Sequence, residues 1–513
     1  MLRAKLVFLF LLLFLPYAFS QTTDSTFILE TDRLEPYFSG YIGNGHFSLV
    51  STQLGITDAP SYMTRVFDHG PDDVPRIAIL PAWNGIDLHN GENWLSKITP
   101  SSTNISPYHQ RIDMYRGILQ TRYQWREGKK ITEVDVESFV SRSNPHLAAM
   151  KLTVTPHYTG PVRISFTLQD WPSPKRMALE KLEKYAPGPN EKWPRVWYPG
   201  NMIVKEHNSN VTAKGGIALM TSNAEGRETT VAQAMETRWP ADLKNLDTKI
   251  QNPEGLISID VQFQAENKPY TFYKFVAIES SQDTKDPAKA ANDVISSVKS
   301  KSYDSLLAEN AAAWRDLWKT DVVIEGDPEL QKMIHSMIFY LLCSLGKDTD
   351  FAIPPMGLAS DGYYGHMFWD GDTWMFPPLL VMHPDLAKSM VMFRYRTLDA
   401  ARKKAKSLGF RGAMYPWEAD ELGNETTPYF AVQNANSEIH VTGDVALAQW
   451  EYYLATGDKN YLKEFGYPVL RETADFWVSR VTYNKEKDRY EIHNVVSVNE
   501  GLIGIKNDTY TNA

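Results

Sequence analysis

Three loop-like stretches of this 513-residue chain carry carboxylates, two of them beside tryptophans. The densest is "YYGHMFWDGDTWMFPPLL", Tyr363 to Leu380, where Phe368, Trp369 and Trp374 surround Asp370 and Asp372 just ahead of a helical period. A carboxylate accepts hydrogen bonds from hydroxyl groups, and an indole ring stacks on the apolar face of a sugar. The stretch reads equally as a helix start, with aspartates capping and rings filling core, because both readings need the same residue types. "GFRGAMYPWEADELGNE" repeats the pairing after the next helix, with Trp417 beside Glu418 between Gly and Pro. His440, in "NSEIHVTGD", starts another helix and by itself reads as a satisfied core or cap histidine. The third acidic loop, "VVSVNEGLIG", holds Glu500, framed by Val495, Val496, Val498 and Leu502. An apolar frame raises a carboxyl pKa and keeps the proton that a general acid must deliver. A turn glutamate in water is the alternative reading.

Other chemistries lack a basis. There is no G-x-S-x-G, H-E-x-x-H, C-x-x-C or P-loop, and nothing implies a metal or other cofactor. "GNGHFS" (Gly43 to Ser48) begins like a dinucleotide fingerprint but lacks its third glycine, so it reads as a tight turn. The net charge of −9, without a basic cluster, argues against nucleic acid or an anionic membrane as partner. With 14 Trp, 26 Tyr and 22 Phe, the aromatic excess adds weight to carbohydrate binding.

The elements that must position these loops fall into two halves. Residues 21–300 are β-rich: "LAAMKLTVTPHY", "GPVRISFTLQDW", "LISIDVQFQAE" and "PYTFYKFVAIESS" alternate apolar and polar residues, as in a sandwich of antiparallel sheets. A short helix is expected at "PSPKRMALEKLEKYAPGP". From Tyr303 helical periods take over, beginning with a linker over 301–326 that Ser302 or Asp304 can cap. Residues 327–513 then read as successive helices, several ending in Gly, separated by loops rich in Trp, Pro, Asp and Gly. The whole is an α+β arrangement with segregated halves. Antiparallel helix pairs can close into an α/α toroid or stay an open solenoid.

Residues 1–20, with Arg3 and Lys5 ahead of an apolar run from Leu6 to Leu15 and a small-residue pattern at Ala18 to Ser20, have the form of a signal peptide cleaved before Gln21. The expectation is a secreted or periplasmic protein with no membrane segment after cleavage. Cys343 is the only cysteine, so no disulfide framework is expected. Asn104, Asn210, Asn424 and Asn507 lie in N-x-S/T sequons, which matter only in a eukaryotic secretory pathway.

"FWDGDTWMFP", "FRYRTLDAARKKAKSLGFRGAMYPWE", "ATGDKNYL", "RETADFWVSR" and "SVNEGLIGIKNDTYTN", in that order, resemble glycoside hydrolase family 65. The likeness runs from about Gly357 to Ala513, and "GYIGNGHFS" resembles the family's amino-terminal Gly-Asn-Gly element. The resemblance implies a β-supersandwich, a helical linker and an (α/α)6 barrel. It implies Glu500 as the general acid, Trp369 and Asp370 holding the glucosyl unit, and Trp417 and Glu418 completing that pocket. The reaction implied is inversion at an α-glucoside. "VNEG" and "FWDGD" depart from the phosphorylase pattern toward the kojibiose-hydrolase and hydroxylysine-glucosidase branch, so the expected partner is a small α-glucoside or a glucosylated hydroxylysine. The same resemblance places the second catalytic carboxylate beyond Ala513, which makes 327–513 an expected first portion of the barrel and the 513-residue product an inactive one. An inverting phosphorylase and a non-catalytic sugar binder on the same scaffold are the alternatives.

Overall fold

The computed structural model describes residues 24–69, 74–171, 202–212, 214–428 and 431–508. The expected signal peptide and the expected helix over 172–189 lie outside these residues.

Alternation in the sequence becomes two faces of sheet. Nine of the described strands form one antiparallel sheet, in the spatial order Ile28–Thr31, Ile105–Asp113, Ile118–Glu127, Lys130–Val140, Leu147–Pro156, Tyr270–Ser280, Thr230–Arg238, Gly215–Ala224 and Met202–Thr212. A second sheet orders Lys244–Gln251, Leu256–Ala265, Gly160–Gln169 and Ile86–His89. In the second sheet Val162, Ile164, Phe166 and Leu168 point inward with Ile257, Ile259, Val261 and Phe263, and meet Val134, Val136, Leu152, Val154 and Phe272 of the large sheet in one core. Burying such side chains contributes about 1.5–3 kcal/mol each. The β-supersandwich expected for the amino-terminal half is present.

The large sheet is also covered on its outer face. Phe139, Ala149, Ala234, Phe275 and Ala277 pack against Ala291, Ile295, Val298 and Tyr303. The first three of those partners belong to a helix over Pro287–Val298, inside the stretch read as β-rich. Its start is legible in retrospect: Asp286 caps the Lys289 N–H and Pro287 occupies the first turn. The linker helix Tyr303–Leu317 is capped by Ser302, which accepts from Ser305 N–H.

The helical half follows the sequence periods closely. Helices span Pro328–Ser344, Phe376–Met382, Pro384–Arg396, Leu398–Ser407, Val432–Ser437, Val441–Thr456 and Tyr467–Arg480. The long period after His383 is two helices that part at Thr397, whose hydroxyl donates to Phe393 O (2.9 Å). Gly457, with φ 64°, ends Val441–Thr456 in the left-handed turn that helix C-termini favour. Among the described residues no helix is long and apolar enough to cross a membrane.

Two of the contacts that dock the halves together meet at one helix end. The Gly43–Ser48 turn fits against the end of helix Pro328–Ser344: Gly45 N–H donates to Cys343 O (2.9 Å), and a Cβ at Gly45 would stand 2.0 Å from Gly346 N. Arg142 reaches over from the β half, donating from Nη1 to Leu342 O (2.5 Å) and from Nη2 to Leu345 O (3.0 Å). These are carbonyls that a helix C-terminus leaves without internal partners. Burial lowers the Arg142 pKa to about 10, so the guanidinium stays charged at neutral pH. Arg142→Ala therefore strands buried carbonyls and is expected to destabilise by about 2–3 kcal/mol. A lowered urea midpoint at unchanged slope would register this, and an unshifted midpoint would show that the cap contributes nothing.

Candidate active site

The first acidic loop is wound against the β half before it reaches its acids. Tyr363, Tyr364 and Gly365 take three successive left-handed conformations (φ 52°, 59° and 69°). At Gly365 a Cβ would stand 2.6 Å from Ile77 of strand Arg76–Ile79, so only glycine permits this approach. His366 follows with no exposed surface, its Nε2 2.6 Å from Pro75 O and its Nδ1 2.8 Å from Glu418 Oε2. A carbonyl only accepts, so Nε2 carries a proton. A second proton then lies between Nδ1 and Oε2, making the pair either imidazolium with carboxylate or imidazole with carboxylic acid. Burial raises the Glu418 pKa and the hydrogen bond and charge of His366 oppose it.

Backbone pairing sets the second acidic loop beside the first. Met367 N–H donates to Ala419 O (2.9 Å) and Ala419 N–H returns to Met367 O (3.0 Å). Glu425 braces the far side, accepting from Trp417 N–H (3.1 Å) and pairing with the buried Lys404 (2.5 Å). Arg227, on the turn between strands Gly215–Ala224 and Thr230–Arg238, reaches Asp420 (3.1 Å) and Glu421 (3.2 Å). The β half thus grips this loop as well as its neighbour.

The aromatic rings of the site fall into two pairs. Phe368 meets Trp417 edge-on (centroids 5.5 Å apart), and Trp369 lies 6.0 Å from Trp374. Trp417 is buried, and its Nε1 has no hydrogen-bond partner among the described residues. The two aspartates separate in role. Asp372 is buried against Arg394, which pairs with both carboxylate oxygens and also donates to Phe368 O (3.1 Å). Asp370 is half-buried outside that pair, and partial burial raises its pKa. Structure therefore assigns Asp372 to holding the loop and leaves Asp370 facing the site.

Glu500 completes the group. It sits at φ 41° in a turn where Glu500 N–H donates to Ser497 O (2.8 Å) and Ser497 N–H to Leu502 O (3.1 Å). Val496 N–H donates to Ser437 O (2.9 Å), which ties this turn to the segment before His440. Partial burial, then the negative charges of Glu438, Asp370 and Glu418, raise the Glu500 pKa, and His440 lowers it. The direction is the expected one, but the apolar frame is incomplete: Val495 and Val496 are buried while Leu502 is exposed. Neighbouring carboxylates add to the effect of the burial that remains.

His440 is more than a satisfied histidine. Its Nδ1 lies 2.7 Å from Asp444 Oδ2 and its Nε2 3.1 Å from Glu438 Oε1. The ring meets Trp369 edge-to-face at 4.9 Å and 87°. Burial alone would lower its pKa, but the two carboxylates outweigh burial and raise it from 6.5 to about 9. His366, Glu438 and Asp444 carry much of this geometry without having been singled out in sequence. The available signal was the i, i+4 pairing of His440 and Asp444 at a helix start. Among the described residues no cluster of three or more His, Cys, Asp or Glu is arranged to hold a metal ion.

Fold and site together describe a carbohydrate-active enzyme scaffold, and comparison with known proteins gives its family. Residues 59–317 match the N-terminal domain of glycosyl hydrolase family 65, and residues 335–513 match that family's central catalytic domain. The chain belongs to glycoside hydrolase family 65. It is 33% identical to a kojibiose hydrolase of Flavobacterium johnsoniae over 93% of this chain and 66% of that protein. For a kojibiose hydrolase of Mucilaginibacter mallensis the figures are 30%, 97% and 69%, and for a kojibiose phosphorylase of Thermoanaerobacter brockii 31%, 88% and 58%. The chain thus spans about two thirds or less of the length of these curated relatives. A solved structure of a candidate kojibiose phosphorylase from the human microbiome superposes with a TM-score of 0.80 at 18% identity, covering 96% of this chain and 64% of that one, which establishes the fold.

His440 links the site to pH. Its folded pKa lies above its ordinary value, so its contribution to stability is full below pH 6.5 and is lost as the pH rises through about 9. Stability curves of wild type and His440→Gln are expected to differ by up to about 3 kcal/mol at pH 6 and to approach each other by pH 10. A gap independent of pH would show that the imidazolium is not what binds Glu438 and Asp444.

Proposed function

We propose that this protein hydrolyses a terminal α-linked glucose with inversion, the α-1,2 linkage of kojibiose or of glucosylgalactosyl-hydroxylysine being the preferred substrate type. The observation that carries this reading is the partial burial of Glu500 together with the negative charges of Glu438, Asp370 and Glu418, which favour a proton on Glu500. A proton held there is available to the glycosidic oxygen as the bond breaks, so the departing sugar leaves as an alcohol. Trp369 stacks on the glucosyl ring and Asp370 accepts from its hydroxyls, with the buried Trp417 packed behind them. Glu418, held by His366, closes the pocket. In an inverting hydrolase water attacks the opposite face, activated by a base carboxylate about 6.5–9.5 Å from the acid.

Two kojibiose hydrolases among the relatives support water as the nucleophile. The kojibiose phosphorylase relative supports a second reading, in which phosphate attacks instead. The signal-peptide form of residues 1–20 favours hydrolysis, because glucose 1-phosphate is hard to recover outside the cell, and it supports a secreted or periplasmic location.

The protein, incubated with kojibiose with and without phosphate and followed by NMR, is expected to release β-glucose at a phosphate-independent rate. Glucose 1-phosphate formed only with phosphate would replace hydrolysis by phosphorolysis. Glu500→Gln is expected to lower kcat by about 10²–10⁴-fold while kojibiose still binds, and an unchanged kcat would leave a scaffold on which Glu500 has no catalytic part.

A further inference from the structure

A second polar cleft, of about 520 Å³, lies on the β half. Its floor is the outer face of the four-stranded sheet. Register places Asp87, Ser165 and Asp260 in one cross-strand row, with Thr167 and Ser258 in the next. An outer sheet face is ordinarily solvated, yet Ser165, Ser258 and Asp260 are only 7%, 3% and 4% exposed. The loop carrying Trp94 and Ser96 forms one wall, with half-buried Trp94 among the lining residues and the Arg163 guanidinium over its ring, 5.7 Å from the centroid. Its volume lies within the range of small-molecule sites, about 300–1,000 Å³.

The floor is preorganised. Ser165 and Ser258 hydroxyls are 2.7 Å apart, Ser258 donates to Asp260 Oδ1 (2.5 Å) and Gln251 donates to Asp260 Oδ2 (2.6 Å). On the wall, Ser96 holds Asp87 through its amide (3.1 Å) and hydroxyl (2.5 Å). Beneath, the fully buried Lys274 donates to Gly85 O (2.9 Å) and Thr167 O (2.6 Å). Gly85 lets the Asp58 carboxylate come close: a Cβ there would stand 2.3 Å from Asp58 Oδ1. Asp58 lines the cleft half-buried, with no hydrogen-bond donor among the described residues.

We propose that this cleft is a second, non-catalytic binding site for a neutral saccharide of one or two hexose units, with Trp94 against the apolar ring face and Asp58 accepting from hydroxyls. Asp58, Asp87 and Asp260 outnumber Lys97 in the lining and disfavour an anionic ligand. The donors already fixed on Asp87 and Asp260 leave them poor partners for a free cation, whereas a hydroxyl can both donate to Asp58 and accept from the second amide hydrogen of Gln251. The aromatic wall supplies what a purely ionic site would not need. This site is independent of the catalytic reading, since none of its residues belongs to the Glu500 group.

Trp369→Ala, which removes the active-site wall, provides the background for the test, with kojibiose and maltotriose as probes and ligand-observed NMR titration as the readout. Saccharide binding is expected to persist in Trp369→Ala. Adding Trp94→Ala should weaken the remaining binding at least tenfold, and adding Trp94→Phe much less. Asp58→Asn, nearly isosteric, should weaken it as well and carries the test if the Trp94→Ala protein does not fold. The proposal is overturned if Trp369→Ala binds neither sugar, if the remaining binding ignores both Trp94 and Asp58, or if putrescine binds the cleft in place of the sugars. Kojibiose turnover is a separate readout, so a protein that binds through the cleft without hydrolysing would refute only the catalytic reading.

Discussion

The site depends on one buried imidazole. His366 joins a backbone carbonyl of the β half, Pro75 O, to the carboxylate of Glu418 in the helical half, and it does so with no exposed surface. Removing either partner would leave a buried polar group unsatisfied, at a cost of about 1–3 kcal/mol. The arrangement fixes where Glu418 points, and the paired amides of Met367 and Ala419 then fix the two loops side by side. Phe368, Trp369 and Asp370 follow directly on that pairing, so their placement inherits its rigidity. The winding of Tyr363 to Gly365 against Ile77 belongs to the same constraint, because it delivers His366 to Pro75.

Charge is distributed around this frame with a consistent logic. Carboxylates outnumber cations near Glu500, and several of them have a cationic partner. Arg394 neutralises Asp372, Lys404 neutralises Glu425, and His440 lies between Glu438 and Asp444. Asp370 and Glu500 are left without such partners, and both have raised pKa values. Glu500 is exposed, so solvent screens the charges acting on it and the direction of the effect carries the argument. A substrate that displaced water there would strengthen the effect of the same neighbours.

The β half does more than support. Arg142 closes the end of helix Pro328–Ser344, Arg227 holds the acids next to Glu418, and Pro75 orients His366. These contacts come from segments far apart in the chain, so the active-site loops are positioned by two sheet turns and a strand end as much as by their own helices. Its outer sheet face, closed over by the Trp94 loop, is a second place where polar side chains are held in fixed directions.

Much of this architecture was legible locally. Period-two alternation located the strands Leu147–Pro156, Gly160–Gln169, Leu256–Ala265 and Tyr270–Ser280, and helical periods with capping residues located Tyr303–Leu317, Pro328–Ser344 and Val441–Thr456. Those features depend on neighbours within a few residues, which is why the sequence by itself determined them. The helix Pro287–Val298 was passed over although Asp286 and Pro287 announced it, because it follows a long β-rich run. Trp-acid pairings and ordered family motifs also marked Trp369, Asp370, Trp417, Glu418 and Glu500 as candidates. Tertiary structure alone decided which aspartate faces the site, that His366 holds Glu418 from 52 residues away, and that His440 carries charge against Trp369. Protonation and orientation are set by groups brought together through space, by burial and Coulomb interaction, and a local sequence pattern carries no record of them.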